Sequence, residues 1–93
     1  MRITILGKRW NLKFVRMKHN WGCVDLPGVK NKEMHINPCH PNDAELMDTV
    51  IHEITHAAFP QLNEETVEQF AKDVTRVLHH RLGYRLPIQD EKE

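Results

Sequence analysis

The sequence predicts an α+β domain: a short antiparallel N-terminal sheet followed by an αα-hairpin. Three observations carry this prediction. Apolar and polar side chains alternate in parts of residues 3–36. From 46 to 78 the apolar side chains recur every three to four positions. Pro38, Pro41 and Pro60 fall between these stretches, where strands and helices have to end. At 93 residues, with 40% hydrophobic and 28% charged side chains, the chain has room for one core and no second. The expected domain spans residues 1–83, with residues 84–93 as a flexible C-terminal tail.

The strands come first. Ile3-Thr4-Ile5-Leu6 is short and β-branched, and Gly7-Lys8-Arg9 can turn. Trp10, Leu12 and Phe14 then alternate with polar residues, the pattern of a half-buried strand. Asn20 and Gly22 mark a loop, Cys23-Val24-Asp25 can extend briefly, and Leu26-Pro27-Gly28 is a turn signal. Residues 32–37 form a further strand, with Met34 and Ile36 facing one way and His35 the other. Pro38 and Pro41 end it.

Two helices follow. Asn42 with Glu45 three positions on resembles a capping box, and Leu46, Met47, Val50, Ile51, Ile54, Ala57 and Ala58 form the apolar stripe behind it. Pro60 stops this helix after Phe59. Asn63 caps the second, whose stripe is Val67, Phe70, Ala71, Val74, Val77 and Leu78, and Gly83 is a natural stop. Trp10, Phe14, Trp21, Phe59 and Phe70 are expected in the core.

The net charge of zero hides a division. Residues 1–41 carry eight Lys/Arg against Asp25 and Glu33, a balance of +6; residues 42–93 carry five against eleven Asp/Glu, a balance of −6. A basic sheet of this kind is a candidate surface for an acidic partner or nucleic acid. The apolar runs are too short to cross a bilayer, and MRITILGKRW lacks a signal peptide's apolar stretch, so the expected compartment is the cytoplasm, with no membrane partner. Cys23 and Cys39 are then expected as reduced thiols, and their spacing assigns them no role.

The first helix carries His52-Glu53-Ile54-Thr55-His56, the string HExxH. Residues four apart on a helix differ by about 40° in direction, so the two imidazoles emerge side by side, one turn apart. Such a pair grips one Zn²⁺ through two nitrogens. Glu53 lies beside them, placed to act as general base on a water whose pKa zinc lowers toward ~7. The apolar stripe lies on the other side of the helix, so the core has no need of these histidines.

A catalytic zinc takes a third protein ligand and keeps a fourth position open. The continuation HxxGxxH is excluded by Phe59 and Leu62. Instead, Asn63-Glu64-Glu65-Thr66-Val67-Glu68 opens the second helix, which a tight hairpin brings back close to His56. With Glu64 at 0°, the second stripe centres near ~300°, so Glu64 points inward and Glu65 toward water. Glu64 is the expected ligand and Glu65 the alternative. Glu68, one turn on, is expected to support a ligating histidine by hydrogen bonding. Tyr84, His79, His80 and His35 are candidate oxyanion stabilisers, and the sequence does not choose among them.

HEITH followed by NEETVE resembles the gluzincins, the thermolysin-like zinc peptidases, whose pattern is HExxH followed by Asn-Glu-x-x-x-acid. The layout is also similar to small single-domain relatives: minigluzincins, ImmA/IrrE-type peptidases and small phage-encoded metallopeptidases. That resemblance implies that the strand at 32–37 is an edge strand along the cleft, either receiving a peptide as an added strand or protected by Lys30 and Lys32. The resemblance implies a zinc-dependent peptidase acting on a protein or peptide, with His52, His56 and Glu64 as ligands, Glu53 as base and Glu68 behind the ligands. It covers most of residues 2–82, but only 49–74 is specific. The interval from His56 to Glu64 is shorter than in thermolysin, which keeps Glu65 open as a ligand and leaves no helical domain to close the cleft.

Overall fold

The computed structural model describes residues 1–86. It is an α+β fold in the order β1 (Arg2–Ile5), β2 (Lys8–Phe14), β3 (Gly22–Val24), β4 (Glu33–Ile36), α1 (Asp43–Ala58) and α2 (Glu64–Thr75), with a π-helical segment Arg76–Arg81 continuing α2. The four strands lie in the order β1-β2-β4-β3. The sheet is mixed, which corrects the antiparallel expectation: β1 pairs with β2 and β3 with β4 antiparallel, but β2 and β4 run parallel, Leu12 opposite Met34 and Phe14 opposite Ile36. The connection from β2 goes out through β3 before β4 enters the middle, a parallel pairing that strand-by-strand alternation does not encode. The strand at residues 32–37 is therefore interior, and the edge on the side of α1 is β3.

The first hairpin turns at Leu6-Gly7, with φ of 49° and 77°, and Lys8 and Arg9 belong to β2 rather than to the turn. Two-residue hairpins favour positive φ at both positions because that twist matches the strands; Gly7 adopts it freely, while Leu6 carries the side-chain penalty.

The inward face of the sheet (Trp10, Leu12, Met34, Ile36) meets Leu46 and Ala57 of α1, with Val50 and Phe14 at the margin. Trp10 satisfies its indole N–H by donating to Asp25 O at 3.0 Å. Buried Asn37 ties the 17–21 loop to the end of β4. Its Nδ2 donates to Met17 O and Asn20 O, and its backbone N–H donates to Trp21 O at 2.8 Å. Trp21, Phe59 and Phe70, expected in the core, are exposed.

Both helix starts form as the cap residues require. Asn42 Oδ1 accepts from Glu45 N at 2.9 Å and Asn63 Oδ1 from Thr66 N at 2.8 Å. The second helix ends in a widened turn, Leu82 N donating to Val77 O and Tyr84 N to Leu78 O, with Gly83 at φ 77°. That is a glycine stop. Past it, Leu86 packs against the core and its N–H donates to Asp43 Oδ2; the rest of the expected tail, residues 87–93, lies outside the described residues. Among the described residues no helix is long and apolar enough to cross a membrane.

Candidate metal centre

The hairpin between α1 and α2 brings one group of metal-ligating side chains together: His52, His56 and Glu64, with all ligand atoms within 4.8 Å of one another. His52 and His56 reach the same point because one helical turn separates them. Glu64 reaches it because Pro60-Gln61-Leu62 reverse the chain, with Leu62 N donating to Phe59 O, and Asn63 then starts α2 immediately. His56 Nε2 lies 2.7 Å from Glu64 Oε1 and 3.1 Å from His52 Nε2, and His52 Nε2 lies 3.1 Å from Glu64 Oε2. Two nitrogens bound tetrahedrally at roughly 2.0–2.1 Å from a zinc ion would sit about 3.3 Å apart. The donor set and its spacing fit a small divalent cation, with Glu64 on the exposed side. Glu65 is exposed and stands outside this group.

Glu53 is 7% exposed. It follows His52 by about 100° and so leaves the histidine face for the flank of α1 that packs on the sheet. There it meets β3 at Gly22, where the space normally filled by a Cβ is taken: a methyl group would lie 3.0 Å from Glu53 Cγ and Oε2 and 3.1 Å from Thr49 Cγ2. Burial pushes the Glu53 carboxyl above its ordinary range. Glu64 adds to the rise, and His52 and His56 oppose it. A carboxylate whose proton affinity is raised is better matched to accepting a proton near neutral pH.

Two open clefts flank Glu53. One, of about 280 Å³, runs past Trp21 and Gly22 and includes Asp48, His52, Glu64 and Glu68; the other, of about 190 Å³, is lined by Val24, Asp25, Leu26, His56 and Pro60. Glu68 lines the same cleft as His52 and Glu64, and among the described residues no hydrogen bond joins it to either histidine, the contact expected of it. Asp48 was not anticipated, although its place four residues before His52 is a readable signal. Burial raises its carboxyl, while His52 and Lys72 pull it down.

The four candidate oxyanion stabilisers lie elsewhere. His35 is on β4, its Nε2 2.8 Å from Glu33 Oε1, in a row with Lys13, whose Nζ is 2.8 Å from Glu33 Oε2. Lys13 first, and then His35, hold the Glu33 carboxyl below its usual range. His79 and His80 are at the opposite end of the helix pair. Asp43, at the start of α1, acts on the His79 ring, and His80 lines a cleft with Ala44 and Glu45. From residue 44 to His56 is twelve helical steps, roughly 18 Å. Tyr84 follows at that far end and is exposed. Cys23 and Cys39 are free and exposed.

No protein-family model, curated protein or solved structure matches the chain. The resemblance to the gluzincins thus rests on the HEITH and NEETVE residues themselves.

Proposed function

We propose that this chain is a minimal zinc-dependent metallopeptidase of gluzincin type. The observation that carries the reading is the pairing of a His52–His56–Glu64 ligand group with a buried carboxylate, Glu53, held beside it by β3. A structural metal site has no use for that carboxylate; hydrolysis does. The ion would be Zn²⁺, for which two imidazoles and one carboxylate with an open side are a typical catalytic set. Bound there, it would polarise the scissile carbonyl and acidify the attacking water.

The chain's own residues supply the remaining steps. Glu53 takes the proton of the attacking water and passes it to the leaving amine, a transfer favoured by its raised proton affinity. Glu68, bordering the cleft, adds negative charge beside His52 and Glu64. The free edge of β3, with clefts at both ends, suits an extended peptide added as a further strand. The test is metal analysis of the purified chain together with peptide turnover by Glu53→Gln. The variant is expected to keep one zinc per chain and lose cleavage; undiminished turnover, or a wild-type chain that takes up no zinc, refutes the reading.

One observation favours a second reading, a zinc-stabilised binding module with little hydrolysis. An open cleft of about 690 Å³ on the sheet is lined by Arg2, Arg9 and Lys32 with Asn11, Asn31 and a single carboxylate, Glu33, and Lys32 Nζ lies 5.1 Å from the Trp10 ring centroid. Such a surface suits an acidic protein or nucleic acid, and that binding would weaken steeply with salt. A chain that binds zinc and a polyanion yet cleaves nothing would establish this alternative.

A further inference from the structure

We propose that the Trp21 side of the metal cleft is a subsite for a basic side chain, so that the bonds this chain cuts are flanked by lysine or arginine. The cation would rest between the Trp21 ring and the carboxylates of Asp48 and Glu68. This inference depends on the metallopeptidase reading and adds a substrate class to it.

The two clefts beside Glu53 differ in chemistry. The Val24–Leu26 side offers the apolar surfaces of Val24, Leu26 and Pro60, with Asp25. The Trp21 side offers four carboxylates: Asp48, Glu53, Glu64 and Glu68. A divalent ion at the histidines balances the charge of Glu53 and Glu64, leaving Asp48 and Glu68. Lys72 acts on Asp48, so with the metal in place the cleft still carries about one net negative charge. The Glu53 carboxylate, on a residue 7% exposed, borders this same cleft.

Trp21 makes the cleft selective as well as negative. Trp21 is 54% exposed, so its side chain is open to a ligand in the cleft. It is also held in place. Trp21 O accepts from Asn37 N at 2.8 Å, and the indole stacks on His40 with centroids 4.4 Å apart. A fixed indole beside carboxylates is the arrangement that attracts ammonium and guanidinium groups through the ring quadrupole. At about 280 Å³ the cleft has room for a long side chain.

The test begins with zinc-loaded wild-type protein and a degenerate peptide library, the cleaved bonds being read by mass spectrometry. Lys and Arg should be enriched at one of the two positions flanking the cut. A matched pair of peptides, with arginine or its neutral isostere citrulline at that position, should differ about tenfold in kcat/KM. Asp48→Asn with Glu68→Gln, and separately Trp21→Leu, should bring that ratio toward one. Cleavage with no basic preference, or a preference that these variants leave intact, overturns the subsite while the peptidase reading stands. If no peptide is cleaved at all, the peptidase reading fails. Binding then decides the subsite: the zinc-loaded Glu53→Gln protein, followed by tryptophan fluorescence, should still prefer the arginine peptide, and equal affinity for the two overturns it.

Discussion

Gly22→Ala tests the placement of Glu53, the proposed general base, without touching a proposed metal ligand. The added methyl group would stand 3.0 Å from Glu53 Cγ and Oε2 and 3.1 Å from Thr49 Cγ2. Comfortable carbon–carbon separations are about 3.5–4.0 Å, so Glu53 must retreat by roughly 0.5–1 Å or α1 must lift from β3. Gly22 has no positive φ, so the backbone itself tolerates alanine and the whole effect is the contact. Overpacking typically costs about 1–3 kcal/mol. The lower end applies here, because the flexible Glu53 side chain can yield, and ~1 kcal/mol corresponds to a Tm loss of roughly 4–8 °C. Catalysis should suffer more. A misplacement of ~1 Å costs up to about 100-fold, so a fall in kcat/KM of about 10- to 100-fold is expected at unchanged zinc content. The assay combines peptide turnover, zinc stoichiometry and thermal melting, repeated in a Glu53→Ala background where most of the clash is gone. Turnover within twofold of wild type, or an equal Tm loss in both backgrounds, would show that Gly22 does not seat Glu53.

Other perturbations separate the remaining contributions. Glu64→Ala should weaken zinc binding by at least ~100-fold, beyond the 10- to 100-fold typical of groups behind the ligands, whereas Glu65→Ala should leave it unchanged; competition with a zinc-sensitive dye reads both. Asn63→Ala removes the cap on Thr66 N and should cost about 1 kcal/mol, seen in denaturant melts, with weaker zinc binding because Glu64 is the next residue. Burial holds the His40 imidazole below its ordinary range, with Glu45 opposing. The unfolded chain then binds this proton more readily, so stability should fall as pH drops through the ordinary imidazole range near ~6.5 toward the lower native value. His40→Phe keeps a ring under Trp21 and should flatten that part of the Tm–pH curve; an unchanged curve would place the dependence elsewhere. Chelation of zinc should lower Tm by about 10 °C or more when the free ion had stood at ~100 times its Kd.

Much of this was legible because the signals were local. Asn42, Pro60, Asn63 and Gly83 set the helix limits through bonds spanning only a few residues. The grouping of His52, His56 and Glu64, which could hold a metal, followed from helical direction, which also set Glu65 apart. Long-range features were not legible. Nothing in the alternation of residues 32–37 says that β4 slots between β2 and β3, since an interior and an edge strand can present the same inward Met34 and Ile36. Trp21 was expected in the core on hydrophobicity alone, yet Asn37 pins its loop outside. The sealing of Glu53 by Gly22 joins positions 31 apart in sequence, and no spacing rule reaches that far.

The division of labour between strand and hairpin has a consequence for how this chain can lose its chemistry. The atoms that would hold the ion come from thirteen consecutive residues, 52–64, whereas the base depends on a strand laid down much earlier in the chain. Under the proposed function, damage to the sheet would leave a protein that still sequesters zinc but hydrolyses nothing. In such an architecture, retention of metal is the trait that outlasts catalysis.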